Sequence, residues 1–352
     1  MINRFKENVN NFNCKYKISI LIPCYNVEKY INRCLDSLIN STFDKNMYCI
    51  ICYDDGSNDK TLKILRKYVT KYDNIIILDN RINQGTSHAR QQLLNHVKTE
   101  YFYFVDADDF VEKDGLFKMY KVAQETNAEL TFAKSYIYKS NKKIKMNWFS
   151  NHFSKRTTLI QYINNNLFYI WNVLVKSDFF IKTNFKYSHN TSCGEDHLLL
   201  SILFAYNPKI AFVYSPTYYY FKNMMSQMNK PNIAFHRLTD NFLNFKQICD
   251  ELKEKCDLMG RDDSYIKLCN VIVRNSLFIV LMNIGMVFSR TLRGKKIREE
   301  LNENQIIKCK EFLHQIKKIF ESNNFQIILP NSWWKKITAF IYIHHIVKLL
   351  KK

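Results

Sequence analysis

Three aspartates crowd the end of one apolar run. Asp106, Asp108 and Asp109 directly follow Tyr101-Phe102-Tyr103-Phe104-Val105. Carboxylates held that close repel one another, which raises at least one pKa unless a cation lies among them. A hard divalent ion, Mg²⁺ or Mn²⁺, is the natural counter-charge, because it takes one or two carboxylates together with phosphate oxygens. An isolated D-x-D-D also has a plainer use, as a solvated turn that caps the next helix. A second acidic group, Asp54-Asp55-Gly56-Ser57-Asn58-Asp59, closes the run from Tyr48 to Tyr53. Its residue types suit a turn and an N-cap. Two adjacent acids cannot both cap one helix, however, and a carboxylate beside a base can accept from the imino N–H of a uracil-like ring.

The elements that must position these acids are legible as a pattern. From Lys17 onward apolar runs alternate with amphipathic ones, as in parallel strands joined by crossover helices. Strands are predicted at Ile18 to Ile22, Tyr48 to Tyr53, Ile75 to Leu78 and Tyr101 to Val105. Ile31, Cys34, Leu35 and Leu38 mark one buried helical face, and Leu62, Leu65 and Val69, then Leu93, Leu94 and Val97, repeat it. The polar interruptions fall straight after the strands: Pro23-Cys24-Tyr25-Asn26, Asp54-Asp55-Gly56-Ser57, Asn83-Gln84-Gly85 and Asp106-Ala107-Asp108-Asp109. In a parallel α/β sheet the strand carboxyl ends share one edge, and ligands bind outside it where the topology reverses. The loops therefore converge on one site.

Composition narrows the classes. The chain has 352 residues, 47% hydrophobic and 24% charged, close to globular averages and unlike a disordered chain or a polytopic membrane protein. Lys and Arg number 52 against 32 Asp and Glu, a formal charge of +20, which points to a polyanionic neighbour, nucleic acid or anionic membrane. Ten cysteines lack the spacing of a disulfide framework and read as reduced thiols. Cys49 and Cys52 form a C-x-x-C, but a strand's period of two points them to opposite faces, as core thiols. Met1 to Lys17 has no apolar leader core. The longest apolar stretch, Ser276 to Phe288, is too short to span a bilayer and reads as a buried helix. Glu129 to Pro231 is aromatic and less regular, and the remainder is helical in pattern, about four segments.

Taken in order, four stretches resemble the motifs of the family 2 glycosyltransferases: Ile20-Leu21-Ile22-Pro23-Cys24-Tyr25-Asn26-Val27-Glu28, Asp54-Asp55-Gly56-Ser57-Asn58-Asp59-Lys60-Thr61, Asn83-Gln84-Gly85-Thr86-Ser87-His88-Ala89-Arg90 and Asp106-Ala107-Asp108-Asp109. The likeness is strong over residues 17–115. It continues more weakly through Trp171-Asn172-Val173-Leu174, Gly194-Glu195-Asp196 and Tyr218-Tyr219-Tyr220, as in bacterial members that build capsular, lipopolysaccharide or other surface glycans. In the family the third motif often ends Ala-Arg-Asn, whereas Gln91 follows Arg90 here.

The resemblance implies a GT-A fold: α/β, Rossmann-like, with a mainly parallel sheet flanked by helices and an appended C-terminal helical region. The corresponding division is a polar extension (1–16), a GT-A domain (17–230, with a nucleotide-binding half 17–115 and an acceptor-side half 116–230) and a helical region (231–352). Pro23, Tyr25, Asn26 and Glu28 match the first nucleotide-binding loop, and Asp54 with Asp55 the acids that hold uracil. Asn83, Gly85 and Arg90 match the third motif, with Arg90 facing the base or the pyrophosphate. Asp106 would hold the ribose or a metal-bound water, Ala107 belongs to the same nucleotide-sugar-binding motif, and Asp108 would bind Mn²⁺ or Mg²⁺ directly. Asp196 matches the general base, with Glu195 beside it as support or alternate. Their position also suits a plain helix start, since Leu198, Leu199, Ile202 and Leu203 follow. Trp171 and Asn172 fall on the acceptor side, where Trp171 either stacks on a sugar or anchors the core. His189 and His197 offer a third metal ligand, although a lone histidine is more often structural.

The implied activity is an inverting, metal-dependent transfer of a hexosyl or N-acetylhexosaminyl group from a UDP-sugar to a hydroxyl of a glycan acceptor, lipid-linked, in surface polysaccharide synthesis. A sugar-nucleotide pyrophosphorylase is the alternative enzyme, but it carries a Gly- and basic-rich loop where this chain has Pro23-Cys24-Tyr25-Asn26. A nucleic-acid-binding protein would account for the charge and leave the acidic loops unexplained. The segment from Trp333-Trp334-Lys335-Lys336 to Lys351-Lys352 contains no acid. It has the composition of an interfacial membrane helix, or of a terminal helix with its basic face in water. On the first reading the protein is cytoplasmic, held at the inner face of the membrane, and the charge is not a nucleic-acid footprint.

Overall fold

In a computed structural model the chain forms two compact units, residues 1–223 and 224–352. The structure describes residues 15–139, 142–145, 154, 156–165, 168–222, 233–258 and 262–288, with scattered helical positions between 307 and 319. The basic segment 333–352 lies outside the described residues, as do residues 1–14.

The first unit is built on one sheet. Strands β1 (Ile18–Cys24), β2 (Tyr48–Asp55), β3 (Ile75–Asn80) and β4 (Tyr101–Phe104) alternate with helices α1 (Ile31–Ile39), α2 (Thr61–Lys71) and α3 (Thr86–Leu94). Then follow β5 (Phe110–Val111), α4 (Gly115–Thr126), β6 (Leu130–Lys139), β7 (Lys142–Lys145), α5 (Leu159–Asn165), β8 (Val173–Lys176), α6 (Ser177–Lys182), α7 (Glu195–Ala205) and β9 (Ile210–Phe221). The strand order is β3-β2-β1-β4-β8-β6-β9-β5, with β7 paired to β6. Pairing is parallel from β3 to β4, antiparallel at β4/β8 and β8/β6, and parallel again at β6/β9. The sheet is thus parallel from β3 through β4 and mixed beyond it. Strand order reverses between β1 and β4, so the loops after these strands flank the crevice where such sheets bind ligands.

The expected helical faces form on α1 and, in part, on α3, whereas on α2 only Leu65 of the expected Leu62, Leu65 and Val69 is fully buried. On α1 Ile31, Cys34, Leu35 and Leu38 are buried, joined by Ile39. On α3 the buried face is Ser87, Ala89, Arg90, Leu93 and Leu94, and the helix stops before Val97. A buried arginine on that face is what apolar periodicity does not flag. Cys52 lies in the core cluster with Ile50, Ile20 and Ile22. Cys49, one pleat away, approaches Ser19 Oγ at 3.6 Å, so the C-x-x-C does not form a shared site.

In the second unit α8 (Ile233–Leu258) and α9 (Asp263–Phe288) pack together. Leu238, Phe242, Phe245, Cys249 and Leu252 are buried on α8, and Leu268, Cys269, Ile272 and Val280 on α9. Here the sequence expectation needs correction. The apolar run from Ser276 is the end of a helix that begins at Asp263, because Asn275 is accommodated in the packed face rather than breaking it. Residues 263–283 are long and apolar enough to cross a membrane by length and composition, and 56% of that window is buried.

Candidate active site

The loops after β1, β2 and β3 are laced to one another. Asn26 adopts a left-handed backbone, φ 52°. Its N–H donates to Ser57 Oγ (2.9 Å) while its Oδ1 accepts from Asn58 N–H (2.9 Å). Val27 N–H donates to Thr61 Oγ1 (2.8 Å), Glu28 N–H to Asp59 Oδ2 (3.1 Å), and Lys60 N–H to Glu28 Oε2 (2.9 Å). Asn26 and Glu28, matched in sequence to nucleotide binding, therefore brace the second loop. Asp55 is turned the same way: Gln84 N–H (3.1 Å) and Gly85 N–H (2.9 Å) both donate to its carboxylate. Gly56 is at φ 72°, and a Cβ there would stand 2.9 Å from the Asn83 nitrogen, so loop 82–85 rests directly on it. Asp54 differs. It is 1% exposed, Ser57 N–H reaches Oδ2 (3.2 Å), and Oδ1 is buried without a partner among the described residues. Burial raises its carboxyl pKa.

The loop after β4 is held from beneath. Asp109 is fully buried and accepts from the Tyr218 hydroxyl (2.7 Å) and from Phe221 N–H (2.7 Å). The same hydroxyl accepts from Asp106 N–H (3.1 Å). Arg33 donates to the Asp108 carbonyl (2.7 Å) and lies 3.9 Å over the Phe221 ring. Asp109 is thus an internal anchor, and the two remaining aspartates, Asp106 and Asp108, are half-buried. Sequence reasoning missed both Tyr218 and Arg33 as supports; only the aromatic run at Tyr218 hinted at one. Burial, then Asp106, pushes the Asp108 carboxyl up to about 6.

Across the crevice, Gly194 (φ 78°) opens α7, and Glu195 and Asp196 form its first turn. The pair does start a helix, and that start delivers the two carboxylates to Arg90. The Arg90 side chain is 3% exposed. Its Nη1 contacts Asp196 Oδ1, while its Nη2 lies 3.2 Å from Asp106 Oδ1 and 3.6 Å from Glu195 Oε1. Burial alone would pull the guanidinium pKa down; Asp196, Glu195 and Asp106 more than reverse that. Asp196 is drawn both ways, upward by burial and by Glu195, downward by Arg90, with a net upward shift.

Other expected residues lie elsewhere. Trp171 is 2% exposed and stacks on Tyr218 at 4.7 Å. No sugar can take that face, so acceptor stacking on Trp171 is corrected to core anchoring beneath the Tyr218 support. Asn172 is likewise buried. His197 is buried and stacks on Phe168 (4.6 Å), and burial lowers its pKa to about 3, so its ring serves packing. Pro23 and Tyr25 are half-buried at the mouth of the β1 loop, and Ala107, between Asp106 and Asp108 in the chain, is buried.

Among the described residues no group of three or more His, Cys, Asp or Glu is arranged to hold a metal. The donor set nevertheless fits a divalent cation. Asp108 is a half-buried carboxylate whose pKa is raised by burial and then by Asp106, and that Asp106 is already paired with Arg90. One or two carboxylates are what Mg²⁺ or Mn²⁺ takes when phosphate oxygens complete its shell.

Residues 19–183 match the family described as Glycosyl transferase family 2. The chain carries a domain of that family. Over 119 residues it is 42% identical to a poly(ribitol-phosphate) beta-glucosyltransferase of Bacillus spizizenii, covering 34% of this chain and 19% of that protein. Over 211 residues it is 31% identical to a processive diacylglycerol beta-glycosyltransferase of Mycoplasma genitalium, covering 56% of this chain and 61% of that one. The chain thus spans about a fifth of the first relative's length and about three fifths of the second's. The family 2 domain and the helices after it share the GT-A fold of residues 1–349 of Staphylococcus aureus TarS, solved with UDP-GlcNAc. That match has a TM-score of 0.66 at 19% identity and covers 92% of this chain and 84% of that one.

Proposed function

We propose that the protein transfers a sugar from a UDP-sugar to a hydroxyl of a glycan or glycolipid acceptor at the cytoplasmic face of the membrane, with inversion. The observation that carries this is the meeting at Arg90 of Asp106, from the β4 end, with Glu195 and Asp196, from the α7 start. The strand-order reversal between β1 and β4 supports a nucleotide crevice at the same edge, since sheets of this kind bind ligands at such a switch. Asp54, with its unpartnered buried oxygen, suits the imino N–H of uracil. Asp108, assisted by Asp106, suits a divalent ion, which when bound supplies positive charge to the leaving diphosphate. Asp196 takes the proton of the acceptor hydroxyl as it attacks the anomeric carbon. Its upward-shifted pKa brings proton affinity nearer neutrality, where a base is most effective.

The name of each relative above specifies a beta product, which is what one displacement gives from an α-linked nucleotide sugar. Their acceptors are a polyol phosphate polymer and a diacylglycerol, by name, and both classes suit a chain of charge +20 that works beside anionic lipid or polymer. Screening UDP-sugars for UDP release with Mn²⁺, using a diacylglycerol and a polyol phosphate acceptor, tests the reading. Transfer with one donor that stops on chelation supports it; no transfer by folded protein with any donor sinks it. Thermal stabilisation by single-stranded RNA but not by UDP would move the protein to a nucleic-acid role.

A further inference from the structure

The role that family resemblance gives Arg90, facing the base or pyrophosphate of the donor, fits poorly with where its charge is used. The guanidinium is buried, both terminal nitrogens already meet carboxylates, and the Phe104 ring lies 5.2 Å from its central carbon. The helix bearing it is also sewn to the chain that leads into α7. Ser87 Oγ donates to the His189 carbonyl (3.0 Å), Ser87 N–H to the Thr191 carbonyl (3.0 Å), and Thr191 N–H to Ser87 Oγ (2.7 Å). Tyr187 N–H donates to Gln91 Oε1 (3.0 Å). The α3 helix and the Gly194–Asp196 turn are therefore one rigid piece, and Arg90 is its internal clamp.

We propose that Arg90 is a positioning residue for Asp196: it fixes the orientation of the base carboxylate and ties it to Asp106 on the donor side, and it does not bind the nucleotide. This rests on the reading of Asp196 as the base. A carboxylate on a first helical turn has free side-chain torsions, and a base misaimed by an ångström loses much of its effect. The planar guanidinium fork removes that freedom in a way a lysine ammonium cannot. Asp196 receives one further support, from the Ile170 backbone N–H on the opposite side.

The test uses full-length wild type, Arg90→Lys, Arg90→Met, Asp196→Asn and the Arg90→Met/Asp196→Asn double variant. It measures kcat and donor KM with the active UDP-sugar, and UDP affinity by calorimetry. Expected is a kcat lowered about 100-fold in Arg90→Met, the lower end of what a lost base costs, with UDP affinity within about threefold of wild type. The double variant should be no more than about threefold slower than Asp196→Asn, because residues acting as a unit are not additive. Arg90→Lys should recover part of kcat at unchanged KM. If Arg90→Met does not fold, the Lys variant carries the same split. Loss of UDP affinity with kcat preserved, or effects that multiply, overturns the proposal and returns Arg90 to the nucleotide. A wild type that binds UDP but transfers no sugar overturns the function itself, a different failure.

Discussion

On the donor side, loops 23–28, 54–61 and 82–85 answer their polar groups locally: Asn26 with Ser57 and Asn58, Glu28 with Asp59 and Lys60, Asp55 with Gln84 and Gly85. Around Arg90, a few residues away in the same unit, three carboxylates share one guanidinium and Asp108 adds a fourth acid beside them. Apart from Asp54, whose Oδ1 is buried without a partner among the described residues, the first region uses its acids on its own backbone, which ties the loops together in advance. The second keeps an excess of negative charge that only a proton or a cation can relieve. The contrast separates scaffold from chemistry more sharply than the motifs do, since both regions are written in the same Asp, Asn and Gly.

The contrast breaks most visibly at Asp196. Asp196→Asn keeps the size and a hydrogen-bonding oxygen for Arg90 but cannot accept the proton, so kcat should fall about 10²- to 10⁴-fold with UDP affinity preserved. Steady-state kinetics beside calorimetry check this, and unchanged turnover would move the base to Glu195 or elsewhere.

In the scaffold the largest effect is expected at Gly56. Alanine there must hold a left-handed φ near 72° and place its Cβ 2.9 Å from backbone atoms of Ile82 and Asn83. The strain costs about 1–3 kcal/mol, and the 82–85 loop must shift. Denaturant unfolding should show the loss, with UDP affinity falling in parallel. Intact affinity in a destabilised Gly56→Ala would mean that the loop packing serves stability alone.

Asp108 sharpens the comparison through pH. Its folded pKa of about 6 stands above the ordinary 3.8, so the folded protein holds a proton that the unfolded chain has released between those values. Without metal, its contribution to stability therefore falls as pH rises from about 4 to 6 and is flat above. Asp108→Asn should raise the metal-free Tm at pH 7 and abolish the further gain that Mn²⁺ with UDP gives wild type. A variant that still gains with Mn²⁺ would shift the metal to Asp106.

The sequence carried the β-α repeats, the four strand-end loops and the acids in them, because period and turn chemistry are local. It did not carry the division of labour among those acids. Whether Asp109 anchors or ligates depends on Tyr218, more than a hundred positions away, and whether Trp171 meets a sugar depends on the same ring stacking over it. Arg90 illustrates the limit: an arginine on an apolar helix face looks like an error until three acids from two distant segments meet it. The helix from Asp263 shows the same limit, since the apolar stretch from Ser276 marks only its second half.

The smallest expected effect comes from Asn26, and it distinguishes scaffold from ligand contact most finely. The residue combines a left-handed backbone with one side-chain acceptor bond to Asn58 N–H, both at an exposed position. Asn26→Gly keeps the backbone and loses only the bond, a cost of about 0.5–1 kcal/mol. Asn26→Ala loses the bond and strains the backbone as well, adding about 1 kcal/mol. Thermal unfolding should rank wild type, Gly and Ala in that order, with UDP affinity following stability by a factor of no more than about two to three. Should Asn26→Gly instead lose about tenfold or more in UDP affinity at nearly unchanged stability, the amide reaches the nucleotide, and the boundary between the two regions runs through the β1 loop itself rather than beyond it.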